Sequence, residues 1–426
     1  MIQYDNEGLP FVRNSKLLIY NMKVPKTVSN KTRYMQFKDV EAMNCVIVNL
    51  LACINKGSVL VYSRDKSLKV SKKSSNRKEM TVRRITGAVD FLESIGWCVN
   101  YIGIQHGSER MRHPSLLLHT QDFVNYWGLE TDELVKIEAD HIDSTEVIEL
   151  RGEDKMIKPF KKNDEIKVME SVVKRLNTAI AGCDVRDGNG DPLSNVYCRI
   201  FNEDFKHGGR YYRADILAMK HNKSEPRHGI TMDGETVVEV DYRNLHFRIA
   251  AHLDGNENIN LPHDVYSSLL EDSENRVERK IVKLAINAMF NARSDESARA
   301  AIQRAINRIP SKQRAQYTLG AAPAVMRLIK EVYYEFRHLF CQPDSFGLRL
   351  QNHDSELATD VITELLDNGV VCLPVHDSFV VKLGHRKLLE DTMASCFKRR
   401  FNTDMPVPLG LSYMLDGELI EEVMYV

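Results

Sequence analysis

Apolar residues recur at helical spacing twice near the start of the chain. In FKDVEAMNCVIVNLLACINKG, Val40, Met43, Ile47, Leu50, Leu51 and Ile54 predict one helix face, and Gly57 stops it. In MTVRRITGAVDFLESIGW, Val82, Ile85, Val89, Leu92 and Ile95 make a second stripe, with Gly96 as its C-terminal cap. WCVNYIGIQ, HGSERMRHP and SLLLHT then read as strand, polar turn and strand. Residues 1–35 are poor in apolar positions and predict an extended arm, and SRDKSLKVSKKSSNRK between the two helices is polar and basic. Residues 126–165 read as acidic and irregular. DEIKVMESVVKRLNTAIAG predicts an amphipathic helix over 163–181, and the turn-rich DVRDGNGDP after it marks a domain boundary.

The second half of the chain has a different rhythm. In ETVVEVDYRNLHFRIAAHLDG, Val237, Val238 and Val240 predict a strand that Asp241 ends. A helix follows, with Leu245, Ile249 and Leu253 on its buried face. In RVERKIVKLAINAMFNA, Arg279, Lys283, Asn287 and Asn291 recur every four residues, so one helix face is wholly polar. Ile281, Leu284, Ala285 and Ala288 are available for the opposite, buried face. LRLQNHDSELATDVITELLDNG predicts a long helix, which runs into CLPVHDSFVVK. There two apolar runs flank His376, Asp377 and Ser378, the pattern of a hairpin with a carboxylate at its tip.

Composition narrows the class. A chain of 426 residues is expected to form two or three domains, and 43% hydrophobic with 27% charged residues is ordinary for a globular protein. A net charge of -1 argues against a basic coat, though not against local basic grooves. None of the eight cysteines forms a CxxC pair, so they read as reduced, buried thiols of a cytoplasmic protein rather than a zinc ribbon. No apolar run approaches the roughly 20 residues of a membrane helix, and MIQYDNEGLPFVRNSK has no signal-peptide core.

Helix, basic helix and two-stranded hairpin is the order of a winged-helix module, in which the second helix and the wing meet duplex phosphates. Arg83, Arg84, Arg110, Arg112 and His113 would supply that charge. A small helical domain with a solvated basic face is the competing reading.

The second half carries the chemistry. Like charges at i,i+4 cost an isolated helix a few tenths of a kcal/mol, and an anion between Arg279 and Lys283 would reverse that sign. Two aspartates on neighbouring strands can hold two magnesium ions about 4 Å apart, one at an attacking 3′-hydroxyl and one at a departing pyrophosphate. Phosphoryl transfer needs mainly positioning and charge neutralisation, so Asp241, Asp377, Lys283 and Arg279 form a sufficient set.

In this order the segments resemble the motifs of palm polymerases, the group that includes family A DNA polymerases and phage-type single-subunit RNA polymerases. DYRNLHFRIAAHL is similar to DYSQIELRIxAH, matching Asp241, Tyr242, Arg248, Ala251 and His252. RKIVKLAINAMFNA resembles RxxxKxxxxxxxYG at Arg279 and Lys283. VHDSF resembles the third motif at His376 and Asp377, with Ser378 where RNA polymerases have serine and DNA polymerases usually have glutamate. FKHGGRYY is similar to DxxGRxY at Gly209, Arg210 and Tyr212. The likeness covers roughly residues 200–415, and four short motifs in the correct order are specific.

The departures are Lys206 at the aspartate of DxxGR, and Asn291 and Ala292 in place of Tyr-Gly. His246 stands where DNA polymerases carry the glutamate that blocks a 2′-hydroxyl, and an imidazole could hydrogen-bond that group, which leans the reading toward ribonucleotides. Residues 242–376 must hold all of the fingers, so these are small, and the helix at 163–181 is the only thumb-like segment before them.

The resemblance implies an α+β chain. It has an arm at 1–35, a winged-helix-like domain at 36–125, and a linker with a thumb-like helix at 126–195. A palm with an antiparallel sheet follows at 196–426, its fingers at about 256–345. Asp241 and Asp377 would bind two magnesium ions, with manganese as a substitute, and Lys283 would act as the catalytic cation. Arg279, Lys283, Asn287, Asn291, His246 and Tyr242 would hold the nucleotide. Arg210, Gly209, Tyr212, Arg248, Gln351 and His376, with Arg83 and Arg84, would contact nucleic acid. Asp264 and Tyr266 in NLPHDVYSSLL are neighbours of such a site or a helix cap, and FKRRF at 397–401 meets phosphates or is a solvated helix end. The partners implied are a DNA template, nascent RNA or DNA, nucleoside triphosphates and a second polymerase subunit, with no membrane. The expected activity is a minimal DNA-directed RNA polymerase of phage or mobile-element type. The rivals are a DNA polymerase or primase on the same palm, and a DNA-binding regulator with an inactive palm.

Overall fold

The computed structural model describes the chain apart from residues 1–2, 5–9, 12–14, 19–21, 23, 55–56, 65–79, 104–114, 145, 220–226, 256–260, 345 and 426. Two compact units form. One comprises Met1–Val147, Asn177–Val196 and Arg213–Met219, the other Ile148–Leu176, Tyr197–Tyr212 and Lys220–Val426. They alternate along the chain instead of following one another across the turn-rich 184–192 segment.

The first unit opens with β1 (Gln3–Tyr4), β2 (Pro10–Phe11), β3 (Ser15–Leu17) and α1 (Lys26–Thr32), so residues 1–35 are not simply an extended arm. Val28 and Thr32 of α1 are buried, which anchors this segment to the core. α2 (Val40–Ile54) buries eleven residues, from Ala42 to Cys53, and is the centre of the unit. β4 (Val59–Tyr62) follows. α3 (Val82–Ser94) starts where Thr81 accepts a hydrogen bond from the Arg84 amide, and it buries Ile85, Val89 and Leu92. Ile95, expected on the same stripe, lies beyond the last turn and is 41% exposed.

β5 (Cys98–Tyr101) and β6 (Ser115–His119) pair antiparallel, and β4 pairs with the other edge of β6. β3 adds in parallel to β4, giving the order β3-β4-β6-β5. β4 is only four residues long, too short for alternation to announce it. Arg110, Arg112 and His113, and most of the basic stretch before α3, lie outside the described residues.

Residues 126–165 are not irregular. α4 (Gln121–Trp127), α5 (Thr131–Ser144) and β7 (Ile148–Arg151) occupy much of the segment. The acidic residues of α5 mask its buried positions Ile137 and His141. α6 (Asp164–Ala181) and β8 (Val185–Arg186) follow. In the second unit β7 pairs in parallel with β9 (Cys198–Asn202), and β10 (Asp204–Tyr212) pairs antiparallel with β9. That pairing ties residues near 150 to the second unit.

The main sheet of the second unit is antiparallel. β11 (Thr231–Met232) turns into β12 (Glu235–Tyr242), which is flanked by β14 (Ser378–Lys382) and β15 (Pro408–Leu415). β13 (Leu373–Val375) pairs with β14, and β16 (Glu418–Tyr425) with β15. The helices are α7 (Leu245–Leu253), α8 (Arg276–Asn291), α9 (Asp295–Asn307), α10 (Ala322–Val332), α11 (Phe346–Asp367) and α12 (Arg386–Phe401). Helices with mainly antiparallel sheets are what an α+β class expects.

Two faces differ from the periodicity. Leu253 is 41% exposed at the end of α7, and Leu284 is 37% exposed on α8. α8 buries Ile281, Val282, Ala285, Ile286, Met289 and Phe290 instead. Its apolar stripe is therefore rotated away from Leu284. No helix among the described residues is long and apolar enough to cross a membrane.

Candidate active site

β12 is a buried strand through Val237, Val238 and Val240, and its far end carries a carboxylate. Asp241 lies opposite Ser378 in the β12–β14 register. The next residue, Tyr242, donates its amide to the carbonyl of Asp377 at 3.1 Å. Asp377 sits in the two-residue turn between β13 and β14, where Val375 pairs with Ser378. His376 takes the left-handed position of that turn, φ 61°, as tight hairpins require. Two aspartates that are 136 positions apart (377 − 241) thus meet at one end of two hydrogen-bonded strands.

Their charges interact. Burial, and then Asp377, push the Asp241 carboxyl well above the usual range, against the opposing pull of Lys283. One strand position deeper, Glu239 is buried but satisfied. Its Oε1 accepts from Ser378 Oγ at 2.7 Å and from Arg227 at 2.8 Å. Ser378 therefore braces the floor of the site.

A divalent cation fits this donor set. The raised Asp241 reports burial first and the negative charge of Asp377 second, both of which a cation would relieve. Among the described residues no three His, Cys, Asp or Glu side chains form a ready-made cage. Magnesium suits such a site, because it commonly uses one or two carboxylates and completes its shell with water and substrate phosphates.

α8 brings cations to the same place. Asn275 caps it, accepting from the amides of Val277 and Glu278. Lys283 is exposed and makes no ion pair with a described residue, and its ammonium lies 5.8 Å from the centre of the Tyr266 ring. The Arg279 guanidinium lies 5.5 Å from the same ring, and its Nε donates to Asp264 Oδ2 at 2.6 Å. Burial, then Asp377 and Asp264, raise the Tyr266 phenol above its ordinary range, so this ring feels one of the paired aspartates as well as the cations. Asn287 is half-buried, and exposed Asn291 donates back to the Asn287 carbonyl at 2.8 Å.

A third cluster comes from β10, α7 and α11. Arg210 donates through Nε to Asp354 Oδ2 at 2.7 Å and also through Nη2 to the same oxygen. Arg210 Nη2 lies 2.9 Å from His246 Nε2, and that nitrogen is 3.4 Å from Asp354. Asp354 is 1% exposed. Burial works against its charge, but Arg210 and His246 outweigh burial and hold the carboxyl below the usual range. Asp377 is among the charges that favour the cationic form of Arg210, which connects the cluster to the aspartate pair.

Gly209 makes this approach feasible. Its φ is 87°, and a Cβ there would fall 2.5 Å from the Phe201 ring. Its carbonyl accepts from Arg199, a fully buried residue that also binds Ser355 and Glu356 of α11. Tyr212 packs edge-on against His376, with ring centres 5.6 Å apart. Burial, and then Arg210, lower the His376 pKa, and its buried Nδ1 has no hydrogen-bond partner among the described residues.

The sequence-selected residues separate into two groups. Asp241, Asp377, Lys283, Arg279, His246, Arg210, Gly209, Tyr212 and His376 are linked by the contacts and charge interactions above. Gln351 is half-buried on α11, and Arg83 is exposed on α3.

Tyr242 and Arg248 do not reach a cleft. The Tyr242 ring is buried, and its hydroxyl donates to the Met393 carbonyl at 2.6 Å. Arg248 is 3% exposed and donates to the carbonyls of Pro406 and Pro262. Burial and these main-chain bonds make both residues structural anchors, although the buried Arg248 Nε finds no hydrogen-bond partner among the described residues. Arg84 is already engaged by Asp39 and Glu41. Lys398, Arg399 and Arg400 of FKRRF pair with Asp404, Glu364 and Asp360, the pattern of a structural helix end.

Two buried residues escaped the sequence reading. Asp354 lies inside the predicted helix LRLQNHDSELATDVITELLDNG without any mark of its role, and Arg199 belongs to no motif. No family model matches this chain, and no curated protein matches it.

Proposed function

We propose that the chain is a template-dependent nucleotidyltransferase, a minimal DNA-directed RNA polymerase of phage type. The observation that carries the reading is the meeting of Asp241 and Asp377 across β12 and β14, beside the cationic face of α8. Carboxylates on adjacent antiparallel strands, approached by an exposed lysine, suit phosphoryl transfer, in which positioning and charge neutralisation dominate. The antiparallel sheet at 231–425, crossed by helices, is the palm in this reading, and α8–α10 are its small fingers.

Asp241 and Asp377 would hold two magnesium ions, or manganese in their place. Such ions activate a 3′-hydroxyl and neutralise pyrophosphate. Lys283 and Arg279 bind the triphosphate. Lys283, which makes no ion pair with a described residue, is also placed to give a proton to the departing pyrophosphate. Arg210 and His246 border the nucleotide and primer side, oriented by Asp354. His246 can hydrogen-bond a 2′-hydroxyl, whereas the glutamate of DNA polymerases blocks the space it needs, so ribonucleotides are the favoured substrate.

In the first unit, the sheet order β4-β6-β5 with α2 and α3 packed on it supports a winged-helix-like DNA-binding module. A DNA template and a second subunit that serves as thumb are the partners in this reading.

Primer extension decides between the readings. The full chain, given a primed DNA template, magnesium and labelled nucleotides, should extend with rNTPs, and chelation should abolish extension. Extension with dNTPs alone would favour the DNA polymerase reading. No extension under magnesium or manganese, with DNA binding intact in wild type and Asp241→Ala alike, would favour an inactive regulator.

A further inference from the structure

The cationic face of α8 is not empty of anions. Arg279 Nε donates to Asp264 Oδ2 at 2.6 Å, and both side chains are close to 30% exposed, at 29% and 28%. We infer that Asp264 is a resident anion at the phosphate site: it holds Arg279 against Tyr266 in the absence of nucleotide, and an incoming triphosphate displaces it. The inference rests on the proposed triphosphate role of Arg279 and Lys283.

Three observations carry it. First, Asp264 is fixed by its own loop and not merely drawn in by the arginine. Its Oδ1 accepts from the amides of Tyr266 at 2.9 Å and Ser267 at 3.3 Å, and its Oδ2 accepts from Ser267 Oγ at 3.2 Å as well as from Arg279. Second, Arg279 and Lys283 lie one turn apart and share the Tyr266 ring, at 5.5 and 5.8 Å. Like charges so placed repel, and a counter-anion relieves that repulsion. Third, the relief is uneven. Asp264 engages Arg279, whereas Lys283 makes no ion pair with a described residue. A polyphosphate can therefore meet Lys283 first and reach Arg279 by exchange with Asp264.

The chemistry of exchange sets the sign of the effect. A half-exposed ion pair must be given up before Arg279 can bind phosphate, so the resident carboxylate weakens polyphosphate binding. A pair this exposed is worth up to about 1 kcal/mol, which converts to a two- to fivefold change in affinity.

Asp264→Asn isolates the effect, because the amide oxygen keeps the two loop hydrogen bonds while the amide nitrogen cannot accept from Arg279. Asp264→Ser, which keeps a capping oxygen without charge, serves as the second variant. Titration calorimetry of the full chain with tripolyphosphate should give two- to fivefold tighter binding in both variants, and Arg279→Ala should bind more weakly than wild type. Equal or weaker binding by a folded Asp264→Asn or Asp264→Ser, or no tripolyphosphate binding by any form, would overturn the inference. Tighter tripolyphosphate binding in a chain that extends no primer would support the resident anion and count against the polymerase. Robust extension with affinity unchanged in both variants would do the reverse.

Discussion

The amide of Tyr242 donates to the carbonyl of Asp377 at 3.1 Å, which locks the strand end that carries Asp241 to the tip of the β13–β14 hairpin. This backbone bond makes the spacing of the two carboxylates a property of the sheet rather than of flexible side chains. Burial, and then the charge of Asp377, raise the cost of charging Asp241.

Asp241→Asn should therefore separate stability from activity. Primer extension should fall by about three orders of magnitude or more, because one of two metal-holding carboxylates is lost. In chelator, at neutral pH, thermal stability should rise by about 2 °C or more. The sign follows from linkage: a carboxyl whose folded pKa is raised binds more protons when folded. Its contribution to stability is then largest at low pH and declines as pH rises from the ordinary aspartate value through the raised one. Melting curves at pH 4 and pH 8 should show the wild type losing more than the variant. A variant that melts lower than wild type at pH 8 would contradict the described pair.

Lys283→Ala should lower kcat/KM for extension about 100-fold while leaving the melting temperature within a degree. The ammonium is exposed and makes no ion pair with a described residue, so folding loses little when it goes. Steady-state kinetics beside a thermal scan tests both halves, and a large drop in melting temperature would assign Lys283 a structural role.

Asp354→Asn should destabilise the chain by about 3–5 kcal/mol at pH 7, because it leaves the Arg210 guanidinium without a full counter-charge. The Asp354 pKa is depressed, so its contribution is present above the ordinary aspartate range and is lost as pH falls through the folded value. The gap between variant and wild type should accordingly narrow below about pH 4. Denaturant midpoints at pH 7 and pH 3 measure it. An unchanged midpoint at pH 7 would show that the Arg210–Asp354 pair adds nothing to folding.

Gly209→Ala combines two penalties. The backbone is left-handed at φ 87°, and the new methyl would sit 2.5 Å from the Phe201 ring. A loss of about 2 kcal/mol or more is expected, with a further loss of activity because the Gly209 carbonyl anchors Arg199 next to Arg210. Urea unfolding would reveal it, and wild-type stability would mean that β10 relaxes freely at this point.

Several elements were legible from residue order. α2, α3, α8, β12 and the β13–β14 hairpin each announce themselves by spacing, because a chain that buries one face must repeat apolar residues at the period of its element. Asp241 at the end of a valine run and Asp377 between two apolar runs were readable in the same way. β4 was not, since four residues barely define an alternation. α5 was hidden by its acidic residues, α4 by its seven-residue length, and Leu284 misled because a helical period fixes the width of a stripe better than its direction.

What the sequence by itself determined is the chemistry on offer: two aspartates at strand ends, cations four apart on one helix, and a glycine before Arg210. Tertiary structure alone decided the partners. It paired Arg279 with Asp264 and Arg210 with Asp354, anchored Arg248 and Tyr242 in the core, and set Lys283 free of any ion pair with a described residue. The physical reason is that local periodicity records whether a position is buried. Which charge meets which depends on contacts between segments far apart in the chain, and packing is what selects those.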